Sequence, residues 1–206
     1  MSVYNGEKWL HDSIESILNQ TISDYEFIIV NDGSIDNSLE IIKNYQKKDN
    51  RIIIVDKKNT GLADSLNQGI KIARGEWIAR IDADDISIPT RLELQYEYTH
   101  KISDVIFVGS GMIQVDSFGN QIKKYNYPEK HKDLLSNLKL VKKFPPHSSA
   151  FYNTRIVKEI GGYRPRIERG QDWDLWLRLS TKGNLACLPD FLVCVRCHDE
   201  QISHKN

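Results

Sequence analysis

An α/β fold with a mostly parallel sheet flanked by helices is what this sequence predicts, and three observations carry the prediction. Short apolar runs at 26–30, 51–55 and 77–81 alternate with helical patterns at 10–18, 37–45 and 62–73. Strands separated by helices need crossover connections, and crossovers pair strands in parallel. Two polar motifs, Asn31-Asp32-Gly33-Ser34 and Asp82-Ala83-Asp84-Asp85, each follow directly on an apolar run. Parallel sheets bind ligands beyond the carboxyl ends of their strands, so both motifs are expected on one rim. Finally, 206 residues suffice for one sizeable domain and are too few for two comfortable ones. The chain is therefore read as one domain over 1–206.

The elements follow in order. Leu10, Ile14, Ile17 and Leu18 recur at i, i+4, i+7 and i+8, one face of an amphipathic helix. Glu26-Phe27-Ile28-Ile29-Val30 is a short, fully apolar strand. In the next helix Asn37 and Glu40 stand at capping-box spacing, with Leu39, Ile42 and Tyr45 on the buried side. A strand at 51–55 leads to a helix marked by Leu62, Leu66, Ile70 and Ala73, which Gly75 ends. The strand at 77–81 runs into the Asp motif, and Pro89 opens another helix. The second half changes character. Short strands are expected at 105–109 and 111–115, then a turn at 116–120. A helix over 131–140, a strand at Phe151-Tyr152, helices over 154–160 and 172–180, and a last strand at 193–195 complete a mixed α+β half.

Composition narrows the function. Twenty-eight basic residues balance 28 acidic ones, which argues against a nucleic-acid binder. No apolar run approaches the roughly 18–20 residues that span a bilayer, and no signal peptide is visible. Cytoplasmic placement is the expectation. Of the three cysteines, Cys187, Cys194 and Cys197, the last two form a C-x-x-C without a second pair, so reduced thiols are expected and not a zinc site.

The densest chemical signal is Arg80-Ile81-Asp82-Ala83-Asp84-Asp85-Ile86. Three carboxylates at one strand end repel each other, and become favourable together around a hard divalent cation or strong donors. Mg²⁺ or Mn²⁺ held by one or two carboxylates commonly also grips substrate phosphates. The bland alternative is an Asp-rich turn ahead of the helix after Pro89.

Further motifs join this one in a fixed order: Val3-Tyr4-Asn5, Asn31-Asp32-Gly33-Ser34, Asn59-Thr60-Gly61-Leu62, Leu66-Asn67-Gln68-Gly69-Ile70, Asp82-Ala83-Asp84-Asp85, Gly161-Gly162-Tyr163 and Gln171-Asp172-Trp173-Asp174-Leu175-Trp176. Each is weak alone. Together they make the chain resemble the inverting glycosyltransferases of family 2, with the GT-A (Rossmann-like) fold. The resemblance implies a nucleotide-binding half over 1–100 and an acceptor-binding half over 101–206. It implies a nucleotide-diphospho-sugar donor, a UDP-sugar before others, a Mn²⁺ or Mg²⁺ cofactor, and a glycan or lipid-linked acceptor in cell-surface polysaccharide synthesis.

It also implies roles. Asp84 would be the main metal ligand, with Asp82 on ribose or metal and Asp85 beside them. Asp32 would read the base edge, where a carboxylate can accept from a uracil or thymine N–H. Tyr4, Asn5 and Glu7 would wrap the base, with Asn59 on the same nucleotide site. Asp172 would be the general base, although an Asp opening a helix is also an ordinary cap. In the family's closing loop, matched by 196–203, Arg196 would approach the pyrophosphate and His198 the metal. His147, Ser148 and Ser149 would line the acceptor or donor pocket. Asn31 and Gln171 replace acidic residues common in the family.

One departure concerns the start. The family has an apolar strand ahead of Val-Tyr-Asn, and here only Ser2-Val3 stand there, so the expectation is a missing first strand and a natural start upstream of Met1. Between 121 and 143 seven lysines face only Glu129 and Asp133, which leaves peripheral contact with the inner face of a membrane open. The alternative function is a nucleotide-sugar binder without catalysis, or an enzyme inactive for want of that strand. A phosphohydrolase would want its Asp-x-Asp near the first strand, and a sugar-nucleotide pyrophosphorylase a Gly-rich, Arg-containing loop; neither is found.

Overall fold

The computed structural model of the protein describes residues 1–167 and 169–199. Its first half comprises β1 (Ser2–Val3), α1 (Leu10–Leu18), β2 (Phe27–Asp32), α2 (Ser38–Gln46), β3 (Ile52–Lys57), α3 (Leu62–Ile72), β4 (Trp77–Ala79), β5 (Ile86–Ser87) and α4 (Arg91–Lys101). Then come β6 (Val105–Val115), β7 (Gln121–Tyr125), α5 (His131–Lys139), a 3₁₀ turn (His147–Ser149), β8 (Phe151–Asn153), α6 (Thr154–Glu159), α7 (Gln171–Leu179) and β9 (Asn184–Arg196).

Strands β1, β2 and β3 form a parallel sheet in that order. A second sheet runs β4-β8-β6-β9-β5, with β7 hydrogen-bonded to β6. In it β6 and β9 are parallel, and the other pairs are antiparallel. The crossover pattern thus produces parallel pairing for β1–β3, whereas β4, expected as the next parallel strand, joins the second sheet antiparallel to β8. Leu10, Ile14, Ile17, Ile29 and Ile42 form the core between the first sheet and its helices. Phe107, Tyr152, Tyr163, Leu175 and Trp176 centre the core under the second.

Three local expectations change. The strands expected at 105–109 and 111–115 are one strand. A Cβ on Gly109 would lie 2.5 Å from Pro145 Cβ, and one on Gly111 would lie 3.0 Å from the Phe191 ring, so the glycines admit neighbours without ending β6. The last strand is 13 residues long. Its register against β6 jumps from Ser110–Leu188 to Gly111–Phe191, so Pro189 and Asp190 bulge out while the ladder continues. At α2, Asn37 makes no side-chain cap bond. Glu7 Oε2 instead accepts from both the Asn37 backbone N–H and its Nδ2, at 2.9 and 2.7 Å, and Asp36 Oδ1 accepts from the Ser38 N–H at 3.0 Å. A carboxylate from the first loop has taken the place that Glu40 would fill.

Among the described residues no strand pairing joins the two sheets. Between β2 and β4 lies a cavity of about 600 Å³ lined by Met1, Phe27, Ile28, Ile78, Ala79 and Ile81, among others. Strand β1 contributes only two residues to this side. The Met1 amino group donates to Ile28 O at 2.9 Å and faces the cavity. Burial, reinforced by the Arg80 charge, lowers this amine from the ordinary 8.0 to about 5.

The sign of the resulting pH dependence is fixed. Between pH 8 and 5 the unfolded chain carries a proton on this amine that the folded chain does not, so stability falls as pH is lowered through that window. Urea midpoints of this chain are expected to drop from pH 8 to 5, and acetylation of the N-terminus is expected to flatten that part of the profile. An unchanged profile after acetylation would assign the dependence to other groups.

Candidate active site

The Asp motif leaves β4 at its carboxyl end and turns before β5. Ligand-capable oxygens of Asp82, Asp84 and Asp85 all lie within 4.8 Å of one another. Their environments differ. Asp82 forms a forked ion pair with Arg80, whose side chain is buried. Burial opposes ionisation of Asp82, but the Arg80 charge and hydrogen bonds outweigh it and lower its pKa. Asp84 shifts the other way, through burial first and then the charge of Asp82, with the bond to His198 opposing. Asp85 is 3% exposed, and burial together with its two neighbours raises its pKa well above the carboxylate range.

Ser148, from the 3₁₀ turn ahead of β8, binds the cluster together. Its hydroxyl is within hydrogen-bonding reach of Asp82 Oδ2, at 2.9 Å, and of Asp85 Oδ2. Its Oγ also accepts from the Asp82 N–H at 3.2 Å and Arg80 Nη1 at 3.1 Å. Arg196 closes the other side. Its backbone N–H donates to Asp85 Oδ1 at 2.9 Å, and its guanidinium reaches Asp84 O, Ser117 O and Asp12 Oδ2 at 3.0–3.1 Å. The expected pyrophosphate contact thus sits in a clamp on the Asp turn. His198 Nε2 lies 2.9 Å from Asp84 Oδ2, and its ring packs against Trp9, tilted by 32° with centroids 3.8 Å apart. The rest of that closing segment, from Glu200 to Ser203, lies outside the described residues.

The donor set fits a hard divalent cation. Three oxygen ligands converge, two of them destabilised as anions by burial and mutual repulsion, and an imidazole stands beside Asp84. Asp84, Asp82 and His198 are the residues that could hold it.

The second rim motif builds a different environment. Asp32 Oδ1 accepts from the Thr60 N–H and Oδ2 from the Gly61 N–H, both at 2.9 Å, and Lys57 pairs with Oδ1. Burial works to raise the Asp32 pKa, but these donors and Ser65 outweigh it, so the carboxylate stays ionised. Gly33, at φ +69°, lets the chain pass Asn59, whose backbone N would lie 2.6 Å from any Cβ there. Gly33, Asp56, Lys57, Lys58 and Asn59 line an open recess beside it. Asn5 and Glu7 weld the first loop to the 34–37 loop. Asn5 Oδ1 accepts from the Ile35 N–H at 2.9 Å, and the Glu7 N–H donates to Asp36 Oδ2 at 3.0 Å. Tyr4 is 54% exposed on this rim.

Asp172 opens α7, half-buried, with Gly170 before the helix in the left-handed region. Its Oδ1 accepts from the Trp173 N–H at 2.8 Å. Closer to the Asp cluster, the Tyr163 hydroxyl lies 2.6 Å from His147 Nε2, and His147 precedes Ser148. Burial, then Arg80, pushes His147 well below its ordinary pKa, which keeps the imidazole neutral. His147 is thus tied to Tyr163 and Trp176, while Ser149 donates to Pro146 O at 2.9 Å and accepts from the Ser110 N–H.

Sequence reasoning missed the supports. Asn67 holds the Gly161-Gly162-Tyr163 turn by two 2.8 Å bonds to the Tyr163 backbone. A Cβ on Gly162, at φ +62°, would lie 2.4 Å from Asn67 Oδ1. Arg178 joins Asp174 to Ile160 O and Gly162 O. Asn67, Gly162 and Asp174 stand inside the quoted motifs, but which motif reaches which is legible only from the folded chain.

The comparisons with known proteins bear on this arrangement. The sequence model of glycosyl transferase family 2 matches residues 1–161. The chain belongs to that family. It is 41% identical over 206 residues to an uncharacterized glycosyltransferase, MJ1057, of Methanocaldococcus jannaschii, covering 95% of this chain and 69% of that protein. It is 34% identical over 180 residues to the O-antigen biosynthesis glycosyltransferase WbnJ of Escherichia coli, covering 87% of this chain and 69% of WbnJ. Among solved structures, S. aureus TarS 1-349 in complex with UDP superposes with a TM-score of 0.79 at 18% identity, covering 97% of this chain and 60% of the TarS 1-349 chain. The fold is GT-A, and the chain spans 69% of the length of MJ1057 and of WbnJ. No helix among the described residues is long and apolar enough to cross a membrane.

Replacing Ser148 by Ala strands buried partners on Asp82, Asp85 and Arg80 at once. The expected cost is about 1–3 kcal/mol of folding stability, read as a lower urea midpoint at constant slope. A midpoint within error of the parent would remove Ser148 as the hub.

Proposed function

We propose that this glycosyltransferase moves a sugar from a nucleoside-diphosphate donor, a UDP-sugar before others, to a hydroxyl of a glycan or lipid-linked acceptor, with inversion at the anomeric carbon. The observation that carries the reading is the convergence of Asp82, Asp84 and Asp85 just past the end of β4, beside the first loop, where a Cβ on Gly6 would lie 3.6 Å from Ala83 Cβ. Family membership, the O-antigen context of WbnJ and the UDP bound to TarS support it.

The residues divide the work as follows. Asp32, held ionised by Lys57 and two backbone N–H groups, accepts from the base; Tyr4 offers a ring face to it; Asn5, Glu7 and Asn59 shape that recess. Asp84 and Asp82, with His198, would hold Mn²⁺ or Mg²⁺, which would supply charge neutralisation for the diphosphate leaving group. Arg196 positions Asp84 and Asp85 through its bonds to both. Asp172 accepts the proton of the acceptor hydroxyl as its oxygen bonds to the anomeric carbon. The bond from that carbon to the phosphate oxygen breaks, and the nucleoside diphosphate departs with the electron pair. One displacement inverts the centre.

Calorimetric titration with UDP, dTDP and GDP, with and without Mn²⁺, tests the donor site. Metal-dependent binding of one of them, lost in Asp84→Ala, is expected. Asp172→Asn should keep that binding and lose on the order of 10²–10⁴-fold in UDP release from the donor sugar, with water as acceptor. A well-folded protein that binds none of the three nucleotides would overturn the reading. Nucleotide binding without any release by the parent would leave a donor-binding protein instead of a transferase.

A further inference from the structure

The geometry points to a second functional surface, at the carboxyl end of α5, that docks the protein onto an anionic lipid bilayer. Leu140 and Val141 are 59% and 79% exposed there. Lys139, Lys142 and Lys143 flank them, all exposed. The β7 strand adds to the same patch, because Lys123 and Lys143 both lie over the Tyr125 ring, 5.2 and 5.7 Å from its centroid. Among the described residues these four lysines form no ion pair. Uncompensated cations around an apolar tip match the anionic headgroups and acyl boundary of a membrane leaflet. A soluble polyanion would use the lysines and have no use for the tip.

The backbone gives an independent reason to regard the tip as more than a solvated turn. The Val141 N–H bonds to Leu138 O and the Lys142 N–H to Asn137 O at 2.8 Å, the pattern that ends a helix with one residue in the left-handed region. That residue is Val141, at φ +52°. Glycine or asparagine normally occupies such a position, and a β-branched side chain there is strained. Asn137 Nδ2 fixes the turn further by donating to Lys143 O at 2.9 Å. An exposed apolar side chain is therefore kept at a site where folding alone favours its removal. Strain of this kind marks functional positions when something else rewards it.

The tip is also built onto the frame of the candidate base. Trp173 Nε1 donates to Leu138 O at 2.8 Å, and the Trp173 and Phe144 rings pack 6.0 Å apart. Trp173 follows Asp172 in α7. Docking through Leu140 and Val141 would hold that end of α7 near the bilayer surface, where a lipid-linked acceptor presents its sugar; this last step rests on the function proposed above, and the docking itself does not.

Co-sedimentation of the full chain with phosphatidylcholine vesicles, with and without 30% phosphatidylglycerol as the probe, tests the surface. Salt-sensitive binding to the anionic vesicles only is expected. Neutralising Lys139, Lys142 and Lys143 together to Gln should weaken it on the order of 100-fold. An equal number of lysines neutralised in the last turn of α2 and just beyond it, Lys43, Lys47 and Lys48, should leave it intact. Val141→Gly separates docking from folding: the melting temperature should rise by about 2–4 °C while vesicle binding falls. Absence of vesicle binding by the folded parent, equal loss in both lysine triples, or binding to dextran sulfate but not to vesicles would each overturn the proposal. UDP titration of the same variants should be unchanged, which keeps a failure of docking distinct from a failure of the donor site.

Discussion

Mutual repulsion among Asp82, Asp84 and Asp85 is the constraint around which this half of the molecule is organised. Three carboxylates in so small a volume cannot all stay ionised without help. The fold supplies the help in layers. Arg80 neutralises Asp82 from within the core, Ser148 bridges Asp82 to Asp85, and the last residue of β9, Arg196, ties the backbone of the turn to α1 and to the 116–120 turn. These supports come from three separate stretches of chain. The turn exists in this shape only when both sheets are in place. Beneath it, buried Arg91 donates to Arg80 O and Ala150 O, and burial lowers its pKa to about 9, so even the packing under the cluster is cationic.

The same economy holds at the other rim. Loops 5–7 and 34–37 are irregular, yet their side chains and backbone N–H groups answer each other in reciprocal bonds. Long-range pairs of this kind replace the regular ladder that loops lack, and they let a recess open to solvent keep a defined shape. Asp32 follows the same logic. It is buried, and four donors hold it charged.

Periodicity located most helices and strands, because a two-sided core imposes 3.6- and 2-residue patterns that survive in the sequence. The helix from Leu10 to Leu18 and the strand from Phe27 onward are examples. The Asp motif and Asp172 were legible as clusters and as members of an ordered motif set. What stayed hidden depends on partners far along the chain. Glu7 capping α2, Asn67 holding Tyr163, and Ser148 joining Asp82 to Asp85 span 30, 96 and 63–66 residues. No local pattern encodes such pairs. The continuity of β6 through two glycines was obscured for a related reason, since Gly109 and Gly111 admit Pro145 and Phe191, and β9 continues past Pro189 because that residue bulges out of the ladder.

The cavity between β2 and β4 has a mechanical meaning. Elsewhere in the molecule neighbouring strands are stitched by backbone bonds, but along this line the two sheets meet only through side chains and connecting loops. The cavity lining runs to Ile81, the residue before Asp82. Stiffness at the candidate site is therefore not inherited from a sheet ladder on that side. It is delivered by individual side chains, Arg80 and Ser148 above all, which makes the alignment of the carboxylates unusually sensitive to single residues and comparatively indifferent to the rest of β4.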